Sequence, residues 1–358
     1  NLASTLNNLG NRYSEVGRHA DIETLWRTVL AEATPSNAAL LLLARTAAAD
    51  PGTPQAIGWV TTALRHADGD RPMLASLHDQ ARRHRNADPD RFDHAWTAAA
   101  GTPPDWLTLD MALLNVAHAW IDTPTYRDEH DFLKAHPELL TPAANSAITE
   151  AVLTVSEQTA ERYLTLRDNA RAHGTAAAYQ PLLLAGLAAE FAAADPPTQA
   201  AMLAEHRDDL LTDTVRETLA EQADNAADRA DAILALAHIG AAEPALDALM
   251  HPEKFADLMA TIAESPDWTT LDAVAFLART SAETDEAAAT ADFYSAVAAA
   301  CADDLDEAAQ TLTQARQLAP DQTATWINQL ARIGRRHPAA LSLIAVLTTP
   351  DQPPGAPA

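Results

Sequence analysis

The sequence predicts an all-α fold, an α-solenoid of stacked helix hairpins, and three observations carry that expectation. Alanine, the strongest helix former, supplies 82 of 358 residues, whereas glycine supplies 11 and aromatic residues 5%. Strand-favouring side chains are correspondingly sparse. Apolar residues recur at helical spacing on single stripes, and a helix with one apolar stripe needs a neighbour to cover it. Prolines punctuate the chain at DPGTP (50–54), GTPPD (101–105), DTPT (122–125), ADPP (194–197) and ESPD (264–267), marking breaks between helices. With 47% apolar residues the chain can bury a core. One continuous array of about eight to ten helix pairs is expected, at about 34–45 residues each.

Taken in order, the first segment places Leu6, Leu9, Gly10 and Tyr13 along one helix. A second helix follows Gly17 with Ile22, Leu25, Trp26 and Val29, and Pro35 closes it. This resembles a tetratricopeptide repeat, a helix–turn–helix unit of about 34 residues. Gly10 matches the family's small residue at the helix crossing and Tyr13 its aromatic; Ile22 and Val29 stand where alanine is usual, so this copy is degenerate. Near the other end, Ala308, Leu312, Ala315 and Pro320 have the spacing of the family's second helix. Trp326 falls at the next unit's aromatic position, while Ala296 replaces the glycine.

Between these ends the units diverge but stay periodic. LHDQARRHR (77–85) and LRDNARAHG (166–174) share leucine, aspartate, an amide, Ala-Arg and histidine in register, with LARIGRRHP (330–338) a looser version. From Glu150, Val152, Val155, Tyr163 and Leu166 define one apolar helix face, with Glu157, Glu161 and Arg167 turned away. The expected organisation is a degenerate repeat at 1–35, divergent hairpins at 36–288 continuous with it, repeat-like units at 289–347, and a disordered proline-rich tail at 348–358.

The arginine-over-lysine and alanine bias, with the opening NLASTLNNLGNRYSEVGR, resembles repeat regions of actinobacterial proteins. There, such arrays follow a signalling NTPase domain of the NB-ARC type or accompany a caspase-like CHAT domain. The resemblance implies a sensor or scaffold role. The chain starts at Asn1, directly in a helical pattern, and a piece of a longer protein is expected.

The formal charge of −26, from 50 acidic and 24 basic residues, repels phosphate backbones and anionic lipid. A basic or arginine-rich protein segment suits it better than nucleic acid or a membrane surface. Cys301 is the only cysteine, which excludes an internal disulfide framework or thiolate cluster and fits a reducing cytoplasm. The richest apolar run singled out, AALLLLARTAAA (38–49), is short and holds Arg45. A span needs about 20 apolar residues, so no membrane segment is expected.

FLKAHPELLTP (132–142) and MLAEHRDDLLT (202–212) share an apolar pair, a histidine and a following helix start, but the carboxylate shifts by a residue and the proline is lost. Catalysis does not tolerate such drift; a helix-ending turn does. His136 and His206 are expected to complement helix C-terminal carbonyls. Thr141 before Pro142 is expected as an N-cap, as is Thr212 or Thr214 in the cousin. His130 and His136 are on different helix faces and no HExxH is present, so no metal and no cofactor are expected. DDLLTD (208–213) resembles the aspartate-rich motif of terpene cyclases, but no second metal motif accompanies it. GxSxG, SxxK, GxGxxG and P-loop patterns are absent, and Cys301 sits among alanines. No catalytic residue is proposed.

In tetratricopeptide arrays the first helices line a concave groove, and the resemblance puts Ser4, Asn7, Asn11 and Ser14 there as peptide-binding positions. Trp106 and Trp120, near the acidic DEHD, are read as interior fillers. A non-catalytic scaffold binding a protein or peptide is the leading expectation. Its rivals are an all-α enzyme with an unrecognised site, which requires a closed pocket, and an oligomerisation segment, which requires a large apolar patch.

Overall fold

Short polar residues start eleven of the helices among the described residues. Thr53, Asp70, Asp88, Asp110, Thr125, Ser156, Asp195, Asp224, Asp267, Thr284 and Asp304 each accept a hydrogen bond from a backbone N–H two or three residues on. Such caps satisfy donors that the first helical turn leaves unpaired. The computed structural model describes residues 2–47, 50, 52–222, 224–265 and 267–349. These form twenty-three α-helices and six 3₁₀ turns, with no strand among the described residues. Several helices are single turns, such as Asp105–Thr108 and Arg207–Leu210, so the chain is cut into more and shorter pieces than the expected pairs. Most of the expected tail, from residue 350 on, lies outside the described residues.

The chain packs as two units, one ending at Gln180 and the next starting at Pro181. In the first, Leu2–Glu15 packs on His19–Glu32, and Pro35–Ala47 on Pro54–His66. Gly10 does what its small size suggests: a Cβ there would meet Arg45 Nη1 at 3.1 Å and Ile22 Cγ1 at 3.4 Å. Other pairs skip an element, such as Pro54–His66 with Pro89–Ala100 and Met111–Ile121 with Asn145–Ala151.

This first unit buries charge. Glu129 accepts from Arg162 at 2.8 and 2.9 Å and from the Tyr163 hydroxyl at 2.8 Å. Glu150 joins His78 Nδ1 at 2.8 Å and Arg82 Nη1 at 2.6 Å, and His78 stacks on Trp106 with 3.8 Å between ring centroids. Burial alone would push the Glu150 carboxyl up, but His78 and Arg82 together outweigh it and hold it below the usual carboxylate range. The helix expected to run on from Glu150 breaks instead. A 3₁₀ turn covers Val152–Thr154, and Ser156 caps a new helix, Glu157–His173. Arg167 is not turned away: it is 5% exposed and donates to the carbonyls of Leu139 and Thr141 and to Asn145 Oδ1. These acceptors gather where a 3₁₀ turn ends, and together they draw the guanidinium inward, although the Thr141 carbonyl also takes the Ala144 N–H at 3.2 Å.

The second unit is built differently. One contiguous apolar cluster runs from Leu184 to Leu347. Alanines such as Ala289, Ala296, Ala308 and Ala315, all 0% exposed, let helices Asp285–Cys301 and Leu305–Leu318 approach closely. Trp326 stacks on Phe293 at 5.4 Å. Helix Asn225–His238 ends at Gly240, whose φ of 80° permits the bond from Ala241 N to Leu236 O at 2.7 Å.

Helix Thr175–Ala193, in which the division between the units falls, corrects the expectation that 38–49 holds the richest apolar run. By length and composition alone it is long and apolar enough to cross a membrane. Its buried residues Tyr179, Leu184, Leu187, Ala188 and Phe191 fall at helical spacing, while Glu190 is exposed.

Candidate functional site

The repeated histidine segments resolve into turns. His136 caps helix Tyr126–Ala135 and His206 caps Pro196–Glu205; their N–H groups donate to Phe132 O and Met202 O. In the first copy Leu139 N closes on His136 O, a 3₁₀ turn, whereas in the second Leu210 N closes on His206 O, an α turn. That difference absorbs the one-residue shift between the copies, and Leu139 and Leu210 are both 0% exposed. The capping expectations need correction. His136 directs Nδ1 to Glu138 at 2.8 Å rather than to helix carbonyls. Thr141 and Thr212 do not cap the next helix with their hydroxyls, which donate back to Glu138 O and Asp209 O. Thr214 lies inside helix Asp213–Gln222.

Other candidates go inward. Trp120 is 0% exposed and donates to the Tyr179 hydroxyl at 3.2 Å. Cys301 is half-buried, and burial pushes its thiol up to about 11. Among the described residues, no three His, Cys, Asp or Glu side chains converge as metal ligands.

The four proposed groove positions lie on helix Leu2–Glu15. Ser4 and Asn11 are exposed, and the side chain of Ser14 lies outside the described residues. Asn7 is committed elsewhere: its Nδ2 donates to Ala44 O at 3.1 Å, tying the first helix to the end of the third, and its Oδ1 is buried without a partner. A nearby cleft of about 800 Å³ is lined by Leu2, Val29, Leu40, Leu41, Leu43, Asn37 and Gln80 rather than by Ser4 or Asn11.

A better site lies in the second unit. A cleft of about 670 Å³ opens between helices Asp213–Gln222, Asn225–His238, Trp268–Thr280 and Asp285–Cys301, with Glu307 from Leu305–Leu318 at its edge. The caps Asp224, Asp267, Thr284 and Asp304 fix the start of four of these helices. One outward stripe of Trp268–Thr280 supplies Thr269, Asp272, Ala273, Phe276 and Arg279, spacings that share a helix face. Its buried side carries Leu271, Val274, Leu277 and Ala278. Alanines 220, 227, 232, 235, 273, 275 and 291 line the hollow and leave it open for want of side-chain volume.

The charges around this hollow are unequal. Asp228, Asp231, Asp272, Asp292 and Glu307 stand against Arg216 and Arg279. Both arginines are engaged: Arg216 Nε meets Asp231 at 2.9 Å, and Arg279 Nε meets Asp292 at 2.9 Å. Asp292 is 8% exposed, and burial raises its carboxyl above the ordinary value, with Arg279 only partly opposing the rise. Asp272 accepts from the Ser295 hydroxyl at 3.0 Å.

This cleft was not among the sites expected from the sequence. Its available signal was the D-A-V-A-F-L-A-R run, 272–279, in which Asp272, Phe276 and Arg279 share the stripe opposite the leucines. No family model matches the chain, and no curated protein or solved structure matches it.

Proposed function

We propose that the chain is a non-catalytic protein-interaction module whose site is the acidic cleft of the second unit, and whose partner presents a positively charged segment. The observation that carries this reading is the surplus of carboxylate in a concave, alanine-lined cleft. With Arg216 and Arg279 already paired, Asp228, Asp272 and Glu307 are left uncompensated. A cationic segment relieves that repulsion, whereas a phosphate backbone aggravates it. The chain's net charge of −26 adds long-range steering of the same sign.

The tetratricopeptide resemblance, and with it a scaffold or sensor role in a reducing cytoplasm, is supported by Gly10 at the first helix crossing and by Ala308, Leu312 and Ala315 in the core. Titration calorimetry with a mixed lysine–arginine peptide tests the site. Binding is expected at low salt, weakening as salt rises, and Asp228→Asn with Glu307→Gln is expected to lower affinity roughly fivefold or more. Equal affinity for the wild type and the double variant overturns the assignment.

One observation favours a second reading, a self-association segment. The first unit's cleft is apolar, and Leu2 and Leu40 there are 56% and 50% exposed. Sedimentation of the wild type against Leu40→Asp decides it; an unchanged monomer in both removes this reading.

A further inference from the structure

Resting on the cleft of the second unit as the binding site, we propose that it selects arginine over lysine, holding one guanidinium of its partner between the Asp272 carboxylate and the Phe276 ring. Asp272 and Phe276 are one helical turn apart on the stripe that lines the cleft, so their side chains are neighbours. A carboxylate beside an aromatic face suits a planar, weakly hydrated cation that can pair and stack at once.

Three observations converge on this pair. Phe276 is 37% exposed although Leu271, Val274 and Leu277 of the same helix are buried, so the ring is held at the cleft rather than in the core. The Ser295 hydroxyl holds Asp272 Oδ1 at 3.0 Å, while Oδ2 has no ion pair or hydrogen bond among the described residues. The nearest resident guanidinium on the stripe, Arg279, is drawn to Asp292 on the facing helix.

Elsewhere in the molecule tyrosine and tryptophan rings carry arginines, and a phenylalanine face offers the same kind of attraction. Arginines lie over Tyr13, Trp26, Trp59, Tyr126 and Tyr163, with guanidinium carbons 4.1 to 5.2 Å from the ring centres. Among the described residues no arginine or lysine lies over Phe276. The chain's own cations do not serve this site, and a partner's can. Lysine neutralises the same carboxylate but is a compact, strongly hydrated charge that gains less from the ring.

Fluorescence anisotropy on the full chain tests the selection, with a fluorescein-labelled arginine–glycine–serine peptide and its lysine counterpart. The arginine peptide is expected to bind the wild type roughly fivefold more tightly. Phe276→Leu is expected to abolish that ratio chiefly by weakening the arginine peptide, Phe276→Tyr to preserve it, and Asp272→Asn to weaken both peptides. Circular-dichroism melting shows that each variant is folded. Equal affinities for the two peptides, or a ratio that survives Phe276→Leu, overturn the arginine selection and leave the cationic cleft standing. Failure of both peptides to bind the wild type at low salt overturns the cleft assignment itself.

Discussion

The two units solve the same packing problem with opposite chemistry. The first buries His78, Arg82, Glu129, Glu150 and Arg167, whereas in the second Asp292 is the only buried acidic or basic side chain among the described residues. The first is therefore stapled by hydrogen-bonded charges, each of which needs its partner in place. The second is closed by alanine and leucine, and its charge is left at the cleft. The difference teaches where function has room. Charges consumed by the core cannot meet a partner, and the second unit keeps its carboxylates available.

The comparison breaks most easily at Glu129. Glu129→Ala strands Arg162 and removes the acceptor of the Tyr179 hydroxyl at 3.4 Å, while Tyr163 keeps the Ile121 carbonyl, and a loss of about 3–5 kcal/mol is expected in the first unit. Hydrogen exchange resolved by peptide reads it, with the second unit expected to hold within about 0.5 kcal/mol. If both units lose protection equally, they are not energetically separate.

A somewhat smaller and mirrored effect is expected from Leu312→Ala. Leu312 is 0% exposed in the apolar cluster. The cavity should cost about 3 kcal/mol, confined to the second unit in the same exchange measurement.

Acid should move the units in opposite directions. Glu150 is held below its unfolded value, so the stability it contributes is present above the ordinary carboxylate range and is lost as pH falls through its folded value. Asp292 is raised, so the folded chain keeps its proton longer, and stability is lost as pH rises through that window. Urea midpoints at pH of about 7 and about 3.5 check this. Glu150→Gln should cost more at the higher pH, and Asp292→Asn should stabilise there and be neutral in acid.

The smallest effect sharpens the comparison by being the same in both units. Gly58 and Gly186 are helical, and a Cβ at either meets nothing within 4 Å. Each change to alanine should add about 0.5–1 kcal/mol to its own unit. A gain in one unit only would expose a helix that is not intact in solution.

Helix content was legible because alanine acts locally, whereas the helix starts expected at Thr141 and at Thr212 or Thr214 were not. Ala308, Leu312, Ala315 and Trp326, singled out by their helical spacing, are all buried. Arg167 was misread because periodicity sorts residues by polarity and cannot see a distant carbonyl that draws a guanidinium inward. Asn7 was misplaced for the same reason, its partner being Ala44 on another helix. The cleft was invisible because it is made by side chains too small to fill it, and by charges brought together from five helices. Only the Asp272–Phe276–Arg279 stripe could be seen in a single segment, and it resembles any exposed helix face until its neighbours are known.

His78 and Arg82 find their carboxylate 72 and 68 residues further along the chain. During synthesis those two side chains emerge long before Glu150, and they must wait in water while the ribosome supplies the intervening helices. The hairpin of Asp285–Cys301 and Leu305–Leu318, with adjacent partners, can close as soon as its second arm appears. Translation thus delivers a half that matures late, followed by one that assembles as it arrives. A pause placed just before codon 150 would leave the nascent chain open to proteases, and one placed after codon 318 would not expose that hairpin.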